Sequence, residues 1–355
     1  MNKIGIVTIT INPNYGNILQ NIALQYSIKK LGAEPETIIN YHESTLFYRE
    51  YRIKQRIKEL INYKGTYSTG KRRRRFQKCA KKHIKYSKAY WDGEKIIGDI
   101  SGYHKIIAGS DQLWNPGFNL ATDFELVSFV APEKRASYAA SIGIDSFVGI
   151  DDKKIKFMAR ELFKMADVSV REIEGQKLLT ELGITQSRVD LDPTLLLQAS
   201  EWDKLIYRPK QAPNKPYIVV YMLGTIPKEY MDEITRLSKK YNAEVIDLLS
   251  DRFKTIDPLE FVWIIKHAEC ICTDSFHATV FSILYHKCFY VLNREDGHLC
   301  QNSRFNTLFE KCGIDTRIYN IGEQLLLKNI NWNAVDFSRK TERESSLNYL
   351  KSLLS

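Results

Sequence analysis

Apolar residues at the start of the chain form short continuous runs separated by helical stripes. The stretch KIGIVTITI (3–11) is apolar and β-branched, which is typical of a buried parallel strand. After the turn cluster NPNYGN, apolar residues recur at helical spacing from Ile18 to Leu31, and Gly32 is suited to end the helix. A second strand pattern, PETIINY, occupies 35–41. These elements predict a β–α–β unit.

The same alternation resumes after a polar segment at 44–100. Strand and helix patterns then follow one another as far as residue 197, over 105–111, 135–143, 152–166, 167–172 and 187–197. Within the polar segment, GTYSTGKRRRR (65–75) has the composition of a mobile loop. We therefore expect the polar segment to be inserted into a larger strand–helix series.

A proline-rich break divides the chain in two. YRPKQAPNKP (207–216) holds three prolines in ten residues and predicts a linker. A second series follows, with strands predicted at 217–223, 243–249, 268–273 and 287–293 and helices over 228–241, from Asp257 to His267 and from Ser275. Pro258 after Asp257 is a typical helix start, and 321–355 is amphipathic and mostly helical.

Strands that alternate with helices predict parallel sheets covered by helices on both faces. Two such series predict an α/β fold with two Rossmann-like domains facing a cleft. The expected domains are 1–205, with a basic insertion at 44–100, and 206–320, followed by a C-terminal helical segment at 321–355. Ligands in open α/β sheets bind beyond the carboxyl ends of strands, so functional residues are expected in the strand-to-helix loops.

Positive charge is concentrated in one segment. The chain carries a formal net charge of +10, and residues 49–88 alone hold sixteen Lys/Arg and two Asp/Glu. One hypothesis is that this segment docks on an anionic membrane surface, with the tyrosines of 47–67 at the interface. The alternatives are a solvated charge run and a nucleic-acid-binding protein acting through 65–85. Because the charge is confined to one segment, no specific nucleic-acid partner is expected.

The remaining composition predicts a globular protein of the cytoplasm, with the possible membrane contact at the inner face of the cell membrane. Hydrophobic residues make up 44% of the 355 positions, which is enough for sizeable cores. The opening MNKIGIVTIT lacks a leader-peptide pattern, and no apolar run approaches the roughly 18 residues of a membrane span. Cys270 and Cys272 have no second cysteine pair at zinc spacing, so neither a metal nor a cofactor is expected.

The clearest chemical candidate lies in CTDSFHATVFSILYH (272–286). A predicted strand ends in Thr-Asp-Ser, and a helix begins with His277 in its first turn. Unpaired N–H groups and the helix dipole make such a terminus an anion site. His277 is therefore a candidate general acid or base. Asp274 and Ser275 are candidates for ligand contact, with helix capping as the alternative.

Two arginines are candidates for binding an anion. Arg171 follows the strand pattern DVSV and should face the cleft, unless a local ion pair with Glu172 occupies it. Arg304, in QNSRFNTL (301–308), is a second candidate, with a solvated surface arginine as the alternative.

Two further loops carry candidate residues. In GSDQLWNP, Asp111 is a candidate base or acceptor of a sugar hydroxyl, and Trp114 is either a stacking platform for a sugar or a half-buried structural residue. NPNYGN lacks the G-x-G-x-x-G spacing, so no dinucleotide site is expected there. The other candidate substrate-binding residues in these loops are Gly16, Asn17, Ser110, Asn115 and Ser141.

Six stretches together resemble the polysaccharide pyruvyl transferase family. They are NYGNILQNIALQ (14–25), IIAGSDQLWNP (106–116), YAASIG (138–143), SVREIEG (169–175), DPTLLL (192–197) and TDSFHATVFS (273–282). The resemblance implies a glycosyltransferase-B-like fold. It also implies transfer of the pyruvyl group of phosphoenolpyruvate to sugar hydroxyls as a ketal, with release of phosphate, in bacterial surface-polysaccharide biosynthesis. The acceptor would be a sugar or a lipid-linked oligosaccharide, and His277 and Asp111 would share the acid and base roles.

The chain departs from the family at one informative position. Members often carry an arginine two residues before this histidine, where this chain has Ser275. A serine cannot supply that charge, and Arg304 is a candidate to compensate. A glycosyltransferase with a nucleotide-sugar donor and a non-catalytic scaffold of the same fold therefore stay open as alternatives.

Overall fold

The first half of the chain forms a mainly parallel sheet. The computed structural model describes residues 1–10, 14–41, 63–118, 120–293, 302–315, 317–319 and 330–355. Strands β1 to β6 are Lys3–Val7, Glu34–Asn40, Tyr86–Trp91, Ile96–Ile97, Tyr103–Ala108 and Arg135–Ser137. They lie in the order β4-β3-β2-β1-β5-β6, and only β3 and β4 pair antiparallel. Two more parallel strands, β7 (Val168–Val170) and β8 (Ser187–Val189), extend the series through a bridge between Ala140 and Val170.

The second half forms a separate parallel sheet. Strands β9 to β13 are Tyr217–Tyr221, Glu244–Asp247, Cys270–Thr273, Cys288–Leu292 and Ile318–Tyr319. Their order is β10-β9-β11-β12-β13, and all the pairs are parallel. Strands β9 and β11 are buried along their whole length, as continuous apolar runs predict. The predicted α/β fold with parallel sheets is confirmed.

Helices connect the strands in both halves. Helices α1 to α5 are Tyr15–Lys30, Tyr63–His83, Asp152–Phe163, Ile173–Glu181 and Ala199–Trp202. Helices α6 to α10 are Lys228–Tyr241, Pro258–Lys266, Phe276–Leu284, Asn302–Cys312 and Trp332–Ser352. The predicted cap at Asp257 is confirmed, because its Oδ1 accepts hydrogen bonds from the N–H groups of Leu259 and Glu260 at 3.0 and 3.1 Å. Residues 207–216 contain no helix or strand, as a linker requires, while the domain boundaries themselves stay predictions.

The two halves share a continuous core. The ring of Tyr15, at the start of α1, stacks on Phe261 of α7 with centroids 4.3 Å apart. The C-terminal helix α10 returns to the first half, where the Tyr349 hydroxyl donates to the carbonyl of Ser137 at 2.9 Å. Near the chain ends, the Asn2 side chain donates to the carbonyl of Leu354 at 2.8 Å. These contacts fix the strand-to-helix loops of one sheet opposite those of the other.

The prediction of a mobile loop over 65–75 is wrong, because these residues lie in α2. The Arg72 guanidinium lies 4.7 Å above the ring of Tyr15 and donates to the carbonyl of Lys254 at 2.9 Å. Arg75 pairs with Glu260 at 2.6 Å and with Asp257 at 3.3 Å. Two arginines of the basic segment 49–88 thus join α2 to the second half of the chain.

The predicted insertion at 44–100 also needs correction at its end. Strands β3 and β4 lie inside that range and belong to the first sheet. The tyrosines of 47–67, expected at a membrane interface, lie outside the described side chains. Among the helices that the structure describes, none has both the length and the apolar character needed to cross a bilayer.

Candidate active site

The starts of helices α1 and α8 meet between the two halves. His277 lies in the first turn of α8, and the Ser275 hydroxyl caps that helix by accepting a hydrogen bond from the Ala278 N–H at 3.5 Å. A Cβ atom added to Gly16 would lie 2.0 Å from Nδ1 of His277. Only a glycine allows this approach, so Gly16 is the residue that admits the imidazole to the junction.

Asp192 binds groups from several loops at this junction. One oxygen, Oδ2, accepts a hydrogen bond from Nη1 of Arg171 at 2.9 Å and lies 3.3 Å from Oγ of Ser110. The other, Oδ1, accepts from the N–H and the hydroxyl of Thr194 at 3.0 and 2.6 Å. Nε2 of His277 lies 3.6 Å from Oδ2, an electrostatic contact longer than a hydrogen bond. One carboxylate therefore connects the loops after β5, β7 and β8 with the start of α8.

Both charges of the Asp192–Arg171 pair are stabilised in the interior. Burial acts to raise the pKa of Asp192, but His277, Arg171 and the Thr194 hydroxyl outweigh burial and hold this pKa well below its usual range. Burial likewise opposes the charge on Arg171, but Glu172, Asp192 and Asp111 raise the pKa of the guanidinium. The pair is consequently ionic at neutral pH.

Arg171 lies after β7 as predicted, and its guanidinium is largely occupied by protein groups. Nε lies 3.4 Å from Oε1 of Glu172, so the local ion pair is present, and Nη2 lies 3.9 Å from Oδ1 of Asp111. Among the described residues, Nη2 of Arg171 and Nε2 of His277 are buried without a hydrogen-bond partner. One of these nitrogens belongs to the candidate acid or base His277, and the other lies near the second candidate, Asp111.

Two arginines lie against the ring of Phe276, next to His277. The guanidinium of Arg171 is 4.3 Å from the ring centroid, and that of Arg304 is 5.9 Å from it. Helix α9, which carries Arg304, is attached to the start of α4 because the Thr307 hydroxyl accepts a hydrogen bond from the Ile173 N–H at 3.1 Å. Arg304 is only 8% exposed, so it is not a solvated surface arginine.

A model of the polysaccharide pyruvyl transferase family matches residues 14–296, which is most of the chain. The chain belongs to this family. It is accordingly a transferase, and the loops described above are those that carry its family motifs. A search of curated protein sequences finds no significant match to the chain.

Solved structures with a similar fold include sugar-nucleotide enzymes. A protein assigned as a UDP-N-acetylglucosamine 2-epimerase from Listeria monocytogenes aligns with a TM-score of 0.51 and 8% identity, covering 98% of this chain and 90% of that one. The UDP-GlcNAc 2-epimerase of Neisseria meningitidis bound to UDP-GlcNAc has a TM-score of 0.47 and 9% identity, with coverages of 99% and 94%. For the glycosyltransferase SnogD of Streptomyces nogalater, the TM-score is 0.43, the identity 10% and each coverage 99%. These similarities concern the fold alone, which is glycosyltransferase-B-like.

The predicted site residues of this transferase separate into two layers. Each residue of the outer layer keeps between 7% and 9% of its surface exposed. This layer contains Asn17, Asp111, Ser275, His277 and Arg304. The inner layer is more deeply buried and contains Ser110, Asn115, Ser141 and Arg171. Inner-layer side chains bond to protein groups: the Ser110 hydroxyl donates to the Ala139 carbonyl at 2.8 Å, and the Ser141 hydroxyl donates to Glu172. Substrate contact is therefore expected from the outer layer.

The stacking role suggested for Trp114 is wrong. Its ring is fully buried, and its indole N–H donates to the carbonyl of Glu125 at 3.0 Å. Asn115 caps the following turn by accepting from the Gly117 N–H at 2.9 Å. The side chains of Trp114 and Asn115 thus stabilise the loop after β5, whereas Asp111 keeps 9% of its surface exposed.

Asp274 serves the neighbouring loop. Its carboxylate accepts hydrogen bonds from the N–H groups of Leu223 and Gly224 at 2.8 and 2.9 Å. It therefore connects the carboxyl end of β9 to that of β11, and it is Ser275, not Asp274, that caps α8.

Sequence reasoning did not identify Asp192 as a site residue. The available indication was its place before Pro193, which is typical of a cap at the start of a helical turn. Nothing local shows that the same carboxylate meets Arg171 and His277. Among the described residues, no group of three or more His, Cys, Asp or Glu is arranged to hold a metal ion.

Replacing Asp192 with asparagine should destabilise the protein in a pH-dependent manner. Removing one partner of a buried ion pair costs roughly 3–5 kcal/mol, and the lower end of that range is expected because Arg171 keeps its contact with Glu172. Since the folded pKa of Asp192 is lowered, its contribution is complete above an unfolded pKa of about 3.9, declines progressively as the pH falls from there towards the folded pKa, and is only partly lost at about pH 3. Denaturant unfolding of wild type and Asp192→Asn from about pH 7 to about pH 3 should show their difference shrinking on acidification.

The matched control is Asp251→Asn, because the carboxylate of Asp251 also pairs with a cation, Lys254, but is exposed to solvent. It should change the free energy of unfolding little at any pH. If the difference in the free energy of unfolding between wild type and Asp192→Asn did not change with pH, the lowered pKa of Asp192 would be contradicted.

Substituting Gly16 by alanine should displace His277. The added Cβ would lie 2.0 Å from Nδ1, which forces one of two packed helix starts to move and costs about 1–3 kcal/mol. In Gly70→Ala, by contrast, no atom lies within 4 Å of the new Cβ, and the helix should gain roughly 0.5–1 kcal/mol. Thermal unfolding measures the change in stability of each variant. The NMR signals of the His277 ring report whether the imidazole has moved. Unchanged ring signals in Gly16→Ala would show that the helices do not meet as described.

Proposed function

We propose that this transferase moves the pyruvyl group of phosphoenolpyruvate onto hydroxyls of a sugar acceptor, forming a ketal and releasing phosphate, in surface-polysaccharide biosynthesis. The observation that carries the proposal is the position of His277. It lies at the start of α8, against the start of α1, with Arg171 and Arg304 beside its neighbour Phe276. This arrangement would bring a multiply charged anion beside a group that can transfer a proton.

The donor anion is held by groups of different kinds. Phosphoenolpyruvate carries about three negative charges at neutral pH, and backbone N–H groups at helix starts bind such anions. Arg171 already faces Asp192 and Glu172, so most of its charge is balanced within the protein. Arg304 supplies, from α9, positive charge that Ser275 cannot supply from the start of α8.

His277 and Asp111 exchange the protons of the reaction. The methylene carbon of the donor gains a proton, the first sugar hydroxyl adds to the neighbouring carbon and gives up its proton, and phosphate leaves. The second hydroxyl then attacks the resulting oxocarbenium-like centre and releases its proton, which closes the ketal. Of the two protons released by the hydroxyls, one balances the proton gained by the methylene carbon and the other leaves with the phosphate as hydrogen phosphate. We assign the imidazole of His277 to proton transfer, because it lies in the first turn of α8 and 7% of the residue stays exposed there.

Asp192 is a positioning residue in this scheme. Its carboxylate lies 3.6 Å from Nε2 and sets the direction of the imidazole, while Gly16 allows the ring to approach α1. The acceptor we propose is a sugar of a lipid-linked oligosaccharide, reached from the cytoplasmic side of the cell membrane.

Binding of phosphoenolpyruvate should raise the thermal stability of the wild type. A ligand at a hundredfold excess over Kd stabilises the folded state by about 2.7 kcal/mol. Arg304→Gln removes a charge-assisted contact worth roughly 1.5–3 kcal/mol, so the Kd for phosphoenolpyruvate should rise at least about tenfold. Thermal unfolding at several ligand concentrations gives both values.

The control is Arg236→Gln, which removes an arginine that pairs with Glu233 on α6. It should keep the wild-type affinity. Stabilisation by a nucleoside diphosphate, with none by phosphoenolpyruvate, would contradict the proposed donor and favour a glycosyltransferase with a nucleotide-sugar donor.

A further inference from the structure

Helix α2 presents two different faces between Lys71 and His83. The inner face packs on α1 and α7 and includes the buried side chains of Phe76, Cys79 and Ala80. Apart from Gln77, the exposed residues of this stretch are Lys71, Arg74, Lys78, Lys81 and Lys82, which form the outer face, and α2 contains no acidic residue. At 100° and 1.5 Å per residue, these five cations occupy an arc of about 100° and a length of about 16 Å.

The lysines and arginines of α2 have different roles on its two faces. Arg72 and Arg75 turn inward and bind groups of the second half of the chain, namely the Lys254 carbonyl and the Glu260 carboxylate. The five residues of the outer face, in contrast, are exposed to solvent. Their charge is therefore not needed to hold α2 in place.

The outer face lies close to the candidate active site. On the opposite side of α2, the ring of Phe76 is 5.0 Å from that of Tyr15, the residue before Gly16. Packed helices have axes about 8–10 Å apart, so the outer face is about one helix diameter from the start of α1. A surface that binds α2 would consequently stand beside the cleft.

We propose that the outer face of α2 docks on an anionic phospholipid bilayer and so brings the cleft to acceptors embedded in it. This inference rests on the proposed function for its choice of acceptor. Five cations spread over about 16 Å cannot converge on a single phosphate, whereas a charged bilayer meets all of them at once. The face has no aromatic residue, although single-stranded nucleic-acid sites combine cations with aromatic stacking platforms.

The test compares flotation of the full chain with vesicles of phosphatidylcholine alone and with vesicles containing phosphatidylglycerol. Wild type should float only with the anionic vesicles. Each basic residue near such a surface raises binding about fivefold, so Lys78→Gln/Lys81→Gln should bind about 25-fold more weakly. Lys153→Gln/Lys156→Gln, which removes two exposed lysines of α3, is the matched control and should bind as the wild type does.

Equal flotation of wild type and Lys78→Gln/Lys81→Gln would overturn the proposal, as would equal binding of the wild type to neutral vesicles. Stronger wild-type binding to single-stranded RNA than to anionic vesicles, lost in the same variant, would assign the face to nucleic acid and would also overturn it. The stabilisation by phosphoenolpyruvate should be unchanged in Lys78→Gln/Lys81→Gln. A protein that floats but is not stabilised by phosphoenolpyruvate would therefore contradict the proposed function and leave the docking surface intact.

Discussion

The buried ion pair of Asp192 and Arg171 is the interaction on which the site depends. Its two charges are 2.9 Å apart in the interior, where an unpaired charge would cost several kcal/mol. The ion pair therefore joins the loop after β7 to the loop after β8. Because Asp192 also faces His277, the pair fixes the first half of the chain against the start of α8 in the second.

Close approach of backbone to side chain completes this junction. Gly16 leaves room for the imidazole, and the stacked rings of Tyr15 and Phe261 hold α1 against α7 directly beside it. The result is a junction whose outer layer contains the candidate residues that keep the most exposed surface. The inner layer, from Ser110 to Arg171, keeps the outer layer in position through hydrogen bonds and ion pairs.

Local patterns predicted much of the fold, because strands and helices here follow local rules. The apolar runs at β1, β9 and β11, the helix at 228–241 and the cap at Asp257 were all accessible from short windows of sequence. His277 at a helix start was accessible in the same way. These features depend on neighbouring residues and on burial of one face.

Features that depend on contacts between distant residues could not be predicted from local sequence patterns. Arg72 and Arg75 are inside α2 because a tyrosine ring, a carbonyl and two carboxylates from elsewhere in the chain receive them, and composition alone suggested a loop. Trp114 is buried because the loop after β5 folds over it, so its polar neighbours gave no sign of its burial. Asp192 meets Arg171 and His277 only in the folded chain.

The central claim is pyruvyl transfer at the cleft around His277, and the reaction itself tests it most directly. Enzyme, phosphoenolpyruvate and a sugar-bearing acceptor would be incubated in deuterated water, and the products followed by NMR and phosphate release. The account predicts that each phosphate released is matched by a ketal whose methyl group carries one deuterium, because the methylene carbon is protonated by the enzyme. Transfer of a sugar from a nucleotide donor, with no ketal formed from phosphoenolpyruvate, would contradict it.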